Sequence, residues 1–193
     1  MKLIRSQFQG EIRYSNNLMQ TSRGVMVGFN RKFDISKIGK SVSYDHGNML
    51  LQAFSHSGRN FLMVTIYGPN DDKPDFYEGM RKAVIKFTEA NAVDHLIIQG
   101  DFNLALNAAV DTSGYQRVNN ARASEKLKLI MEEFDLQDAW RVLHPNEKRF
   151  TYRQRNTTAL IENGLPPVRF SSVMVRLDQS DHTIYGSDLT WSQ

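Results

Sequence analysis

Leu96-Ile97-Ile98-Gln99-Gly100-Asp101-Phe102-Asn103 is the stretch on which the reading of this chain turns. A short apolar run bounded by a glycine predicts a buried strand that ends in a turn. Asp101 and Asn103 stand two positions apart at its end, so they share a side if the chain stays extended. A carboxylate there can hold a metal or deprotonate a water, and an amide can donate to a phosphate oxygen. A strand closed by simple Asp/Asn turn chemistry fits the same eight residues.

Working outward, Phe61-Leu62-Met63-Val64-Thr65-Ile66-Tyr67 is a second apolar strand, stopped by Gly68-Pro69-Asn70. A helix is predicted after it. Asp71 and Asp72 are suited to cap that helix and Pro74 to open it, while Phe76, Tyr77, Met80, Val84 and Phe87 recur at helical spacing. Asp94 then opens the central strand. Beyond a long polar loop, 104–119, a second helix is predicted from Ala121 to Phe134, with Leu127, Ile130, Met131 and Phe134 as its stripe. Upstream, a weak strand at Glu11–Ser15 and a better one at Ser22–Phe29 precede a hairpin of Val42–Tyr44 with Met49–Ser55 around Asp45-His46-Gly47-Asn48. Downstream, Phe150-Thr151-Tyr152 and Thr183–Trp191 suggest strands, and Thr157–Ser172 carries no clear period. Strands partly separated by helices predict one sheet-rich α/β layered domain over residues 1–193.

Composition narrows the chemistry. With no cysteine among 193 residues, disulfide frameworks, thiolate metal sites and cysteine nucleophiles are excluded. No apolar run reaches membrane-spanning length, and Met1-Lys2-Leu3-Ile4-Arg5 turns polar too soon for a signal peptide. The net charge of +3 says little. Its distribution says more, because Arg141, Lys148, Arg149, Arg153 and Arg155 crowd around Trp140, Phe150 and Tyr152, a composition suited to a phosphate backbone or to a solvated surface. Metalloprotease, Walker, dinucleotide and serine-hydrolase motifs are not found in the sequence.

Four polar groups end or follow predicted strands: Tyr67 to Asn70, Asp101 to Asn103, Thr151, and Ser180-Asp181-His182. Strand ends are where layered sheets place sites. The set matches the needs of phosphodiester hydrolysis. A hard cation such as Mg²⁺ takes carboxylate oxygens, the attacking water needs a base, and the developing charge needs amide, imidazolium or phenol donors.

In this order the pieces resemble the endonuclease/exonuclease/phosphatase superfamily, the DNase I-like fold. The likeness is greatest to the apurinic-type endonuclease domain of LINE (non-LTR) retrotransposon polyproteins. It is carried by Ser22-Arg23-Gly24-Val25, Ile66-Tyr67-Gly68-Pro69-Asn70 and Ile98-Gln99-Gly100-Asp101-Phe102-Asn103. It continues through Asp135-Leu136-Gln137-Asp138-Ala139-Trp140-Arg141 with Leu143-His144-Pro145, then Phe150-Thr151-Tyr152 and Ser180-Asp181-His182, and is densest over 11–156.

The resemblance implies a four-layer α/β sandwich and a Mg²⁺- or Mn²⁺-dependent endonuclease that nicks target DNA to prime reverse transcription. By family role, Asp101 orients or deprotonates water, Asn103 hydrogen-bonds the scissile phosphate, and Tyr67 contacts the phosphate or helps the leaving group. Asn70 positions substrate, Asp181 joins the carboxylates at the metal, His182 contacts a phosphate oxygen and Thr151 lies near the DNA backbone. The partners implied are DNA and, in an intact polyprotein, a reverse transcriptase domain, with no membrane and a nuclear or cytoplasmic setting.

Two departures from the family shape the expectation. The family opens with an asparagine strand, a helix and a strand ending in the main metal-ligand glutamate; no equivalent glutamate is visible here, and Glu11 lies too late to serve. Near the other end, Arg176-Leu177-Asp178 stands three residues before Asp181, so Asp178 matches the histidine-orienting aspartate without its usual spacing. The sequence thus predicts a truncated copy with poor or absent turnover. Two alternatives are a non-catalytic DNA- or protein-binding remnant of the same fold and a phosphatase of the same superfamily.

Overall fold

The fold is that of a computed structural model, described for residues 8–16, 24–112, 120–148 and 171–176. The chain runs β1 (Gly10–Asn16), β2 (Gly24–Asn30), β3 (Ile35–Tyr44), a 3-10 turn (Asp45–Gly47), β4 (Met49–His56) and β5 (Arg59–Tyr67). It continues through α1 (Pro74–Ala90), β6 (His95–Asp101), α2 (Ala108–Asp111), α3 (Ala121–Glu133), β7 (Leu136–Asp138), α4 (Ala139–Leu143) and β8 (Ser171–Arg176). β1 and β2 form an antiparallel pair. The other six strands make one sheet in the order β3-β4-β5-β6-β8-β7.

Strict alternation along β4, β5 and β6 divides their side chains between two cores. Leu51, Leu62, Val64, Ile66, Leu96 and Ile98 pack against the helices. Leu50, Phe54 and Phe61, joined by Met63, Tyr67 and Ile97, pack against Val25, Val27 and Phe29 of β2. Among the described residues the result is three layers, with the strand pair on one face of the sheet and the helices on the other. These are three of the four layers of the expected sandwich.

Of the predicted stripe of α1, Tyr77, Met80, Val84 and Phe87 are buried, joined by Ala83, with Phe76 partly buried; of that of α3, Leu127 and Ile130 are buried, joined by Ala123 and Ser124, with Met131 and Phe134 partly buried. Fully burying a side chain such as Met80, Val84 or Phe87 contributes about 1.5–3 kcal/mol. The 42–55 hairpin forms as expected, with Tyr44 opposite Met49. Within it Gln52 is wholly buried. Its amide nitrogen donates to the carbonyls of Gly39 at 3.1 Å and Ala53 at 2.6 Å, beside a register shift between Ile38 and Ser41.

β5 and β6 are parallel, Phe61 to Tyr67 lying opposite His95 to Asp101. Gly100 makes their close approach possible. Its φ is +129°, and a Cβ there would lie 2.0 Å from the Ile66 carbonyl oxygen.

Three expectations are revised. Asp71 and Asp72 do not cap α1, which begins after Lys73 without a side-chain cap. Asp72 instead accepts the Ala123 backbone N–H at 2.8 Å, so it caps α3 across the loop. That bond, ahead of its contact with Arg122, holds the Asp72 carboxyl below its ordinary value. The supposed polar loop after Asn103 includes buried Leu104 and the short α2, opened by Asn107 accepting the Ala109 N–H at 3.1 Å. Two strands, β7 and β8, were not expected. Among the described residues no helix is long and apolar enough to cross a membrane.

Candidate active site

The two buried runs end side by side. Tyr67 and Asp101 are register partners at the carboxyl ends of β5 and β6, the parallel pair. The crevice beyond such ends is where open sheets bind ligands. The Gly68 N–H donates to the Asp101 carbonyl at 2.7 Å and the Tyr67 N–H to the Asn48 carbonyl at 2.8 Å, so both strands are pinned to their last residue.

Asn103 joins Asp101 by a turn, the Asp/Asn turn chemistry that the sequence also fits, and not by extended alternation. Its φ is 50°, in the left-handed region that asparagine tolerates better than most residues. Its backbone N–H donates to Asp101 Oδ1 at 2.9 Å, and its side-chain nitrogen donates to the Gly68 carbonyl at 2.6 Å. Among the described residues no further hydrogen bond engages that amide. Between the two, the Phe102 ring is buried and its carbonyl accepts the Tyr77 hydroxyl at 2.5 Å. No side chain larger than glycine fits at Gly68, where a Cβ would lie 2.4 Å from the Phe102 carbonyl oxygen.

The electrostatics follow from this packing. Burial raises the Asp101 carboxyl above its ordinary value, and the bond from the Asn103 N–H opposes the rise only in part. A carboxylate so placed is more basic than one in water. Burial first, and the Asp101 charge second, push the Tyr77 phenol far above its usual range, so it remains a donor.

Asn70 is exposed just past the β5 end, within the same loop as Gly68. Asn120, not singled out in the sequence, donates to the Asn103 carbonyl at 2.9 Å and to the Asn70 carbonyl at 3.2 Å. An asparagine before a predicted helix signals a cap. Its reach to Asn103 is tertiary and leaves no local trace. Tyr77 was visible only as one member of an apolar stripe. The structure thus gathers Tyr67, Asn70, Asp101 and Asn103. Thr151, Asp178, Asp181 and His182 lie outside the described residues.

The Asp135–Pro145 segment, which carried much of the resemblance, is architectural. Asp138 accepts the Arg141 N–H at 3.2 Å and opens α4, while Trp140 stacks on His144 with ring centroids 3.9 Å apart. Arg141, expected among phosphate-facing cations, turns inward. It pairs with buried Asp111 at 2.6 Å and donates to the carbonyls of His144 and Glu147, both at 2.9 Å. Lys148 is exposed; Arg149, Arg153 and Arg155 lie outside the described residues.

A divalent ion is tested by the donors present. Oxygen and amide groups meet at these strand ends, the hard donor type that Mg²⁺ or Mn²⁺ takes. Among the described residues no three His, Cys, Asp or Glu side chains cluster at metal-binding distance, and Asp101 is the carboxylate they place at the strand ends. Mg²⁺ usually needs only one or two carboxylates, with water and phosphate oxygens completing its shell. The described set therefore fits as part of a cradle.

No protein-family model matches the chain. An AP endonuclease structure from Archaeoglobus fulgidus is similar, with a TM-score of 0.57 and 19% identity over 87% of this chain and 67% of that one. The crystal structure of truncated Caenorhabditis elegans TDP2 is similar with a TM-score of 0.53 and 15% identity, over 91% of this chain and 64% of that one. The chain spans about two thirds of the length of each. These likenesses show the DNase I-like α/β fold.

Proposed function

We propose that the chain is a Mg²⁺- or Mn²⁺-dependent nuclease domain that hydrolyses a phosphodiester bond in DNA, of the kind that nicks target DNA for non-LTR retrotransposons, with poor turnover because no glutamate equivalent to the family's main metal ligand is visible in the sequence. The observation carrying this reading is the pairing of Asp101 with Tyr67 at the ends of the parallel strands, with Asn103 folded back on the carboxylate. In this reading Asp101, made more basic by burial, takes the proton of the attacking water. The free N–H of the Asn103 amide donates to a non-bridging phosphate oxygen, and the Tyr67 hydroxyl lies toward the phosphate or its leaving oxygen. Asn70 holds the strand being cut. Asp181 would hold the cation, which when bound neutralises charge on the phosphate. His182 donates to a phosphate oxygen, oriented by Asp178, and Thr151 touches the DNA backbone. The likeness in fold to an AP endonuclease supports a nuclease. A reverse transcriptase domain is the proposed partner in an intact polyprotein, acting where that polyprotein meets DNA, in the nucleus or cytoplasm.

The test is conversion of supercoiled plasmid to nicked circles by the full chain. Nicking should require Mg²⁺ or Mn²⁺, stop with chelator, and fall about 10²–10⁴-fold in Asp101→Ala, the range for losing a general base. Nicking indifferent to chelator or to Asp101→Ala sinks the reading. A second reading, a DNA- or protein-binding module without turnover, draws on the described residues, among which no three His, Cys, Asp or Glu side chains cluster as a metal site. It predicts a DNA mobility shift that persists in chelator, with no cutting under either condition.

A further inference from the structure

We propose that Asn120 is a positioning residue of the candidate site, holding the Asn103 turn and the Asn70 loop in one fixed relation before substrate arrives. The two hydrogens of its side-chain amide go to two different loops, one to the Asn103 carbonyl at 2.9 Å and one to the Asn70 carbonyl at 3.2 Å. A planar amide with both hydrogens engaged sets the distance between its acceptors as well as their presence.

The placement answers a need in the backbone. Asn103 sits at φ 50° and Asn120 at φ 60°, both in the left-handed region that costs a residue bearing a side chain. A carbonyl held from outside keeps Asn103 in that conformation, and only there does its N–H meet Asp101 while its amide reaches Gly68. The same loops are tied a second time from the opposite direction. Asp72, two residues after Asn70, accepts the Ala123 N–H at 2.8 Å and pairs with Arg122 at 3.1 Å. The start of α3 and the loop after β5 therefore clasp each other, with the Asn103 turn held between them. Donors fixed in advance cost no reorganisation at the moment of reaction.

For catalysis this inference rests on the nuclease reading, so its test has two readouts. Asn120→Gly accepts φ 60° without strain and lacks the amide. Asn120→Asp keeps the shape but at neutral pH offers no donor to either carbonyl. Hydrogen–deuterium exchange of the full chain should be at least severalfold faster over residues 101–104 in both variants, with exchange in α1 unchanged. Nicking kcat should fall about tenfold in Asn120→Gly and further in Asn120→Asp, with KM little altered, as expected when a fixed hydrogen bond supports the reacting geometry. Unchanged exchange over 101–104 in both variants overturns the proposal, as does a raised KM with wild-type kcat. Should the wild-type chain fail to nick DNA, the nuclease reading falls, and exchange alone decides the role of Asn120.

Discussion

Asp101 carries a conflict between stability and chemistry. Burial disfavours its charged form, so its folded-state pKa lies above the unfolded value. A carboxyl raised in this way contributes its stability below the unfolded pKa, and that contribution is lost as pH rises through the folded pKa. Asp101→Asn keeps an oxygen for the Asn103 N–H and removes the charge. Its melting temperature at pH 7 should equal or exceed that of wild type, with the difference closing as pH falls through the acid range; a variant that loses stability specifically at neutral pH would contradict this. The residue types of this site were legible in the sequence because strand ends and their carboxylates announce themselves. Their geometry was not. Asn103 reaches Asp101 by a left-handed turn that a two-residue spacing does not reveal, and Arg141, adjacent in sequence to other cations, finds its partner Asp111 thirty positions upstream.

At the scale of elements, β3 and β4 hold together across an irregular register because a polar side chain fills it. Gln52 is buried beside the shift at Ile38–Ser41 and donates to the carbonyls of Gly39 and Ala53. Replacing it with alanine strands them, and an unsatisfied buried acceptor costs about 1–3 kcal/mol. Gln52→Ala should therefore lower the urea midpoint without changing the slope; an unchanged midpoint would show that water satisfies those carbonyls. The apolar runs of β5 and β6 and the stripes of α1 and α3 were readable because their periods are internal to each element. The sequence points Asp72 at the helix next to it, but a cap is chosen by which N–H groups lie nearby, and those of α3 arrive from about fifty residues downstream. β8 went unread because Ser171–Arg176 is short and follows a stretch without a period, its strand identity coming from β6 and β7 on either side.

At the scale of the whole molecule, a largely buried ion pair binds the segment after β6 to the region after β7. Asp111 is 4% exposed in its side chain and Arg141 19%. Removing one partner leaves the other charge uncompensated, at a cost of about 3 kcal/mol. Asp111→Ala should lower the unfolding free energy by about that amount, with little dependence on added salt; a loss that disappears in high salt would mark the pair as a surface one. The order of the large sheet has a consequence for synthesis. β8 lies between β6 and β7, though both precede it in the chain. A ribosome that has already released β7 has made a sheet with a gap beside the strand that bears Asp101. That gap closes only when residues 171–176 emerge, so the nascent chain cannot complete the sheet around Asp101 before that segment is made.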